Sequence, residues 1–216
     1  MAEQQEFAQY LIADEWFDYH HPSVAALAES IHLHDKSQLE LAVEIYYLVR
    51  DEFEYNPYSF VDGRHSFKAS FCVENNKGYC IPKSSLMIAL CRSKGIPARI
   101  GLADVTNHLS TPCFLKLLRT DIFSMHAYVE VFLENKWIKA TPVFNKALCD
   151  RMNSPCLEFD GVSDSLLQPF NNSGRKFMEY LKDWGAFSVL PVDFIIENLN
   201  KHYPHLMADF GKNYCE

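Results

Sequence analysis

Apolar residues recur at three- and four-residue steps over two stretches, Leu41, Ile45, Leu48, Val49 and Phe53, and then Leu86, Ile88, Ala89, Leu90 and Cys91. Such spacing lays them along one face of a helix. Ser37-Gln38-Leu39-Glu40 ahead of the first stretch is a capping box, and the helix it opens is expected to end near Tyr55-Asn56-Pro57. The second stretch follows Lys77-Gly78-Tyr79-Cys80-Ile81-Pro82-Lys83 and meets a conventional stop at Gly95 and Pro97. Residues 3–32 carry helical spacing through Phe7, Leu11, Ile12, Val24, Leu27, Ala28 and Ile31, broken at His21-Pro22, and predict one or two short helices.

Further on the period changes. Met125 to Leu133 alternates Tyr128, Glu130 and Phe132 with Ala127, Val129, Val131 and Leu133, which is the period of a half-buried strand. Glu134-Asn135 reads as a two-residue turn into a partner strand over Lys136–Thr141 that stops at Pro142. Ile96–Val105 and Cys113–Leu118 are also expected to be strands. Breakers mark 57–77 as a loop and 145–175 as a long connection, with helices over Phe177–Trp184 and Val192–Tyr203 closing the chain. Helices followed by strands predict an α+β domain with a mainly antiparallel sheet. The expected organisation is one domain over 1–216, with N-terminal helices in 1–56, a motif-bearing core in 77–142, and a C-terminal loop and helices in 143–216.

Composition narrows the function classes. Hydrophobic residues at 48% and charged residues at 22% of 216 are those of a globular chain that folds throughout. A net charge of −8 repels nucleic acid and anionic lipid, so neither is expected as a partner. The seven cysteines form no CxxC pair, which argues against a disulfide framework or structural zinc and for reduced thiols in the cytoplasm. The acidic, polar MAEQQEFAQY predicts no signal peptide, and no apolar run reaches membrane-spanning length. His20, His21, His32 and His34 lack nearby cysteines or a spaced carboxylate, so no metal is expected there. Without an EF-hand loop, a P-loop or a dinucleotide fingerprint, no cofactor is inferred. Nothing in the sequence sets an oligomeric state.

Candidate chemistry gathers at Cys80. A thiol at a helix N-terminus faces unpaired N–H groups and the positive end of the helix dipole, and Lys77 and Lys83 beside it favour a thiolate. A cysteine inside an apolar helix is ordinarily a small buried hydrophobe, which is the expectation for Cys72, Cys91 and Cys113. His126, on the alternating strand, supplies a base. His65 and His108 stand in reserve. The Cys80 backbone N–H and a donor from Asn75 or Asn76 are expected to hold an oxyanion, and Tyr79 with Phe60, Phe67 and Phe71 to wall an acyl groove.

The order of these blocks resembles a family. GYC before the helix, Gly95-Ile96-Pro97-Ala98-Arg99 at its close, then HAYVEVFLENKW running to Pro142, is similar to the core of the transglutaminase-like superfamily, in a single-domain member of the prokaryotic type. The resemblance covers Lys77 to Pro142 and implies a papain-like fold, Cys80 as nucleophile, His126 as base, Glu130 and Trp137 as structural residues, and an amide substrate attacked through a thioester. Where the family carries aspartate, four positions after Trp137, this chain has Thr141, whose hydroxyl can orient the imidazole but brings no charge. Asn145, Asp121, Asp160 and Asp164 are alternative orienting groups. A second reading follows from the same departure: a domain that has lost catalysis and serves as a binding or scaffold module. Peptide N-glycanase chemistry would bring paired cysteine zinc ligands, which are absent.

Overall fold

The computed structural model describes residues 7–212. A single 3-10 turn at Ala8–Tyr10 precedes helices α1 (Pro22–Ser30) and α2 (Gln38–Glu52). The capping box of α2 is complete: the Ser37 hydroxyl accepts from the Glu40 N–H at 3.2 Å while the Glu40 carboxylate accepts from the Ser37 N–H at 2.8 Å. Strand β1 (Glu54–Tyr55), two 3-10 turns and helix α3 (Ala69–Asn75) follow, so 57–77 is an ordered, partly helical segment rather than a loop. Strand β2 (Lys77–Gly78) pairs in parallel with β1, Glu54 opposite Lys77 and Tyr55 opposite Gly78.

Helix α4 (Cys80–Ser93) lies at the centre, with every residue from Ile81 to Arg92 buried. A one-sided apolar pattern had predicted a helix with one face in solvent; instead α4 packs against α2 and α3 and against the sheet on its other side. Its end is a Schellman turn, with Gly95 N–H donating to Arg92 and Ile96 N–H to Cys91, at a glycine whose φ of +74° costs a residue without Cβ nothing. Buried Arg92 holds the surroundings together by donating to the carbonyls of Ala98, Ile12 and Ser188 at 2.6–3.0 Å.

Strand β3 (Ala98–Asn107), helix α5 (Pro112–Leu118), strands β4 (Ile122–Leu133) and β5 (Lys136–Ala140), helix α6 (Lys146–Arg151) and strand β6 (Met178–Phe187) complete an antiparallel sheet of order β5-β4-β3-β6. The β4–β5 hairpin turns at Glu134 and Asn135, both at positive φ (46° and 66°), the geometry of a two-residue hairpin turn. Helices α7 (Val192–His202) and α8 (Pro204–Met207) close the described chain. Tyr128 of β4 lies flat over Gly101 of β3, where any Cβ would fall inside the ring.

Two further expectations fail. Cys113–Leu118 is helical, because Thr111 caps the Phe114 N–H at 3.2 Å and Pro112 occupies the first turn, where its missing N–H is harmless. Phe177–Trp184 is not a helix but the start of β6, so the C-terminal part of the chain contributes an edge strand as well as helices. Leu181 and Trp184 are extra residues at register shifts against β3, so residues three apart face one way and imitate a helical period.

Candidate active site

The β1–β2 pair sets the approach to Cys80. Asn56 N–H donates to Gly78 O at 2.9 Å, fixing the chain two residues before the thiol, and Tyr79 then caps α4 in an extended conformation. Cys80 is half-buried, and it lines a cavity of about 80 Å³ together with Tyr55, Phe60, Tyr79, Phe123, Met125 and His126. Burial pushes its thiol up to about 11, while the backbone N–H groups of Ala127, Ile81 and Cys80 itself pull the other way. The Ala127 amide belongs to the residue after His126, so the start of α4 abuts β4 at the histidine.

Lys83 does not act as expected. Lys83 turns away from Cys80 and donates to the carbonyls of Arg50 and Phe53 at 2.9 and 2.5 Å, capping the end of α2. Burial brings its ammonium down to about 8, and its charge is felt by Cys72 rather than Cys80. Cys72 and Cys91 are fully buried and burial pushes both thiols up to about 12, whereas Cys113 is exposed, contrary to expectation.

His126 is 7% exposed, and burial lowers its imidazole to about 4. Thiol and imidazole are therefore both neutral at pH 7. Nε2 is buried without a hydrogen-bond partner. A β-bulge places the ring: Ala103 pairs with His126 but Val105 pairs with Phe123, leaving Ser124 and Met125 opposite Asp104. Met125 adopts φ +61°, unusual for a residue with a side chain. Asp104 accepts from the Ser124 hydroxyl at 2.8 Å and the Met125 N–H at 3.1 Å, and the Tyr203 hydroxyl accepts from the Ser124 N–H at 2.7 Å. Sequence reasoning missed Asp104 and Tyr203, since nothing local to either residue marks a bulge on a neighbouring strand.

Thr141 is buried with His126 around a second, tight cavity that also includes Phe144, Leu157, Leu166, Gln168 and Met178 and has no room for a water molecule. Among the described residues three polar atoms at this wall lack partners, His126 Nε2, Thr141 Oγ1 and Gln168 Oε1. The Gln168 amide donates to Pro155 O at 2.9 Å. Gln168 lies in the long connection, with no motif around it to signal a role.

None of the other orienting candidates lines a cavity with His126. Asp160 caps the N–H groups of Val162 and Ser163, Asp164 accepts from the Lys139 N–H, and Asp121 is exposed. Asn145 precedes α6 with its Oδ1 buried and, among the described residues, unpartnered, and it lines none of the three cavities that His126 borders. No carboxylate shifts the His126 imidazole, whose only perturbation is burial. His108 pairs with Glu179 at 3.4 Å in solvent, and His65 lines cavities away from Cys80. The Asn75 amide is tied to Phe71 O at 2.8 Å, and Asn76 is the left-handed cap of α3, so neither amide is presented to the thiol. Of the expected groove residues, Phe60 and Tyr79 line the cavity, while Phe67 sits in the core and Phe71 packs against His65.

Glu130 and Trp137 brace the hairpin. The Arg99 guanidinium contacts the Glu130 carboxylate at 2.6 Å and stacks over the Trp137 ring at 4.0 Å. Among the described residues no cluster of metal-ligating side chains is present, and no helix is long and apolar enough to cross a membrane.

Compared with known proteins, residues 25–142 match the transglutaminase-like superfamily. A solved structure from Cytophaga hutchinsonii, described as a candidate cysteine protease, is similar at 20% identity over 63% of this chain, with a TM-score of 0.48. The chain spans 42% of that protein's length. No curated protein matches.

Proposed function

Since this chain belongs to the transglutaminase-like superfamily, we propose that it is a cysteine enzyme acting on an amide through a Cys80 thioester, with His126 as general base. One observation carries the reading: Cys80 and His126 line one cavity, where the start of α4 packs on β4. Both groups are neutral at rest, so proton transfer from thiol to imidazole accompanies attack on the carbonyl carbon instead of preceding it. The carbonyl π pair moves to oxygen, where the Cys80 N–H receives it. On collapse the C–N bond breaks and the imidazolium returns its proton to the leaving amine. Water or a second amine then resolves the thioester, giving hydrolysis or acyl transfer.

Thr141 Oγ1 and Gln168 Oε1 are the acceptors available to the second ring nitrogen. The cavity they share with His126 holds no water, so a hydrogen bond to either acceptor requires a small movement that closes it. The amide-bearing substrate is proposed to enter from the apolar side, lined by Tyr55, Phe60, Phe114 and Phe123.

Favouring the binding or scaffold alternative, the imidazole has no carboxylate partner and its Nε2 has no hydrogen bond. Incubation with p-nitrophenyl acetate, followed by peptide mass mapping, separates the readings. The enzyme reading expects an acetyl group on Cys80 and none at that site in His126→Ala at pH 7. A binding module would leave Cys80 unmodified in both.

A further inference from the structure

The oxyanion in the reaction above has one evident donor, the Cys80 N–H at the start of α4, and the asparagines upstream are turned elsewhere. Three tyrosines line the cavity beside the thiol, Tyr55, Tyr79 and Tyr203. Two are committed. The Tyr203 hydroxyl donates to Ile122 O at 2.6 Å and accepts from Ser124 N–H at 2.7 Å, while the Tyr79 hydroxyl lies 3.4 Å from Ser66 Oγ. Among the described residues the Tyr55 hydroxyl has no hydrogen-bond partner.

Its position is set by the backbone. Tyr55 stands opposite Gly78 in the parallel β1–β2 pair, two residues before Cys80, so the strand that leads to the nucleophile also fixes the tyrosine. The ring meets Phe144 edge-on, with centroids 4.9 Å apart at 89°, which holds its plane. Tyr55 also borders the adjoining cavity of about 190 Å³ with Phe114, Phe123 and His126, and so stands between the two lobes where an acyl group would cross. Burial holds its phenol well above the usual range, with the Cys80 charge adding to the effect, so it remains a proton donor throughout the working pH range.

We propose that the Tyr55 hydroxyl is the side-chain donor of the oxyanion hole, acting with the Cys80 backbone N–H on the tetrahedral oxygen; this rests on the thioester reading above. As sulfur bonds to the carbonyl carbon, the C=O π pair passes to oxygen, and Tyr55 donates a hydrogen bond without giving up its proton. When the carbonyl re-forms, that hydrogen bond weakens as the amine departs with the proton held by His126.

The test compares two thiol reagents on the full chain. N-acetyl-phenylalaninal adds to Cys80 as a hemithioacetal whose oxygen occupies the proposed hole, and iodoacetamide alkylates Cys80 at an sp³ carbon with no oxyanion formed. Tyr55→Phe keeps the ring and the wall of the cavity. Aldehyde affinity is expected to fall about tenfold or more in this variant, the size of one lost hydrogen bond to developing charge, with the alkylation rate unchanged to within about twofold. An unchanged aldehyde affinity, or a loss shared equally by alkylation, overturns the assignment. A wild-type Cys80 that takes up neither reagent overturns the thioester reading and this inference with it, and is distinct from a loss confined to the variant.

Discussion

The buried carboxylate of Asp104 accepts the backbone N–H of Met125 at 3.1 Å, one residue before His126. That bond, with the Ser124 hydroxyl at 2.8 Å, holds a bulge in which Met125 has φ +61°. Asp104→Ala would leave two buried donors unpaired and cost roughly 2–4 kcal/mol, at about 1–2 per group. We expect a lower urea midpoint and slower acylation of Cys80. Ser124→Ala, which removes one of the two bonds and keeps the carboxylate on the Met125 N–H, should retain most of the rate. Equal rates in Asp104→Ala and the wild type would show that the bulge does not position the ring.

Stability should depend on pH through His126. In the unfolded chain the imidazole binds a proton from about 6.5 downward, but in the folded chain only near 4. The unfolded state therefore holds more protons between those values, and folding stability falls as pH drops through that window, by roughly 3 kcal/mol in total. Comparing urea midpoints of wild type and His126→Gln at pH 7 and pH 4.5 isolates this slope from that of the carboxylates. A slope identical in the two proteins would contradict the burial of a neutral ring.

Thr141→Asp restores a charge where the superfamily resemblance expects one. A carboxylate beside the ring should raise the imidazole pKa by about 1–3 units, visible in the NMR titration of the His126 ring protons, and should speed acylation at neutral pH. The same change buries a charge and is expected to lower thermal stability. An unmoved titration would mean that position 141 does not reach the imidazole.

Arg99→Ala would strand the Glu130 carboxylate, which is buried and, among the described residues, otherwise reaches only Lys139 Nζ at 3.9 Å. The expected loss is roughly 3–5 kcal/mol, read by thermal melting followed by circular dichroism. Arg99→Ala with Glu130→Gln should recover part of it.

Much of the frame was legible because the sequence marks it locally. The capping box of α2, the glycine stop after α4, the strand period of β4 and the Glu134-Asn135 turn each carry their own chemistry, and all four elements form, although β4 is buried on both faces from Ser124 to Val131 and not half-buried as its alternation predicted. What escaped depends on partners distant in sequence. Helix α4 is buried on all sides because strands that come later cover it, and β6 looked helical because its bulges are defined only against β3. The same holds at the site. Cys80 and His126 stand out in motifs, while Asp104, Gln168 and Tyr55 gain meaning only from what the fold places beside them. The expected help from Lys83 failed for a related reason: it lies one turn on from Cys80, but the carbonyls of Arg50 and Phe53 at the end of α2, which the sequence around it does not reveal, take its ammonium.

The most direct test of the account is the rate of Cys80 acylation by p-nitrophenyl acetate as a function of pH, in the wild type and in His126→Ala. A base that is neutral above about 4 predicts a wild-type rate that levels off between about pH 5 and 8, well below the thiol value of about 11. The variant should instead rise steadily with pH as the thiolate fraction grows. Two profiles that rise together, following the ionisation of the thiol alone, would contradict the claim that His126 is the base for Cys80.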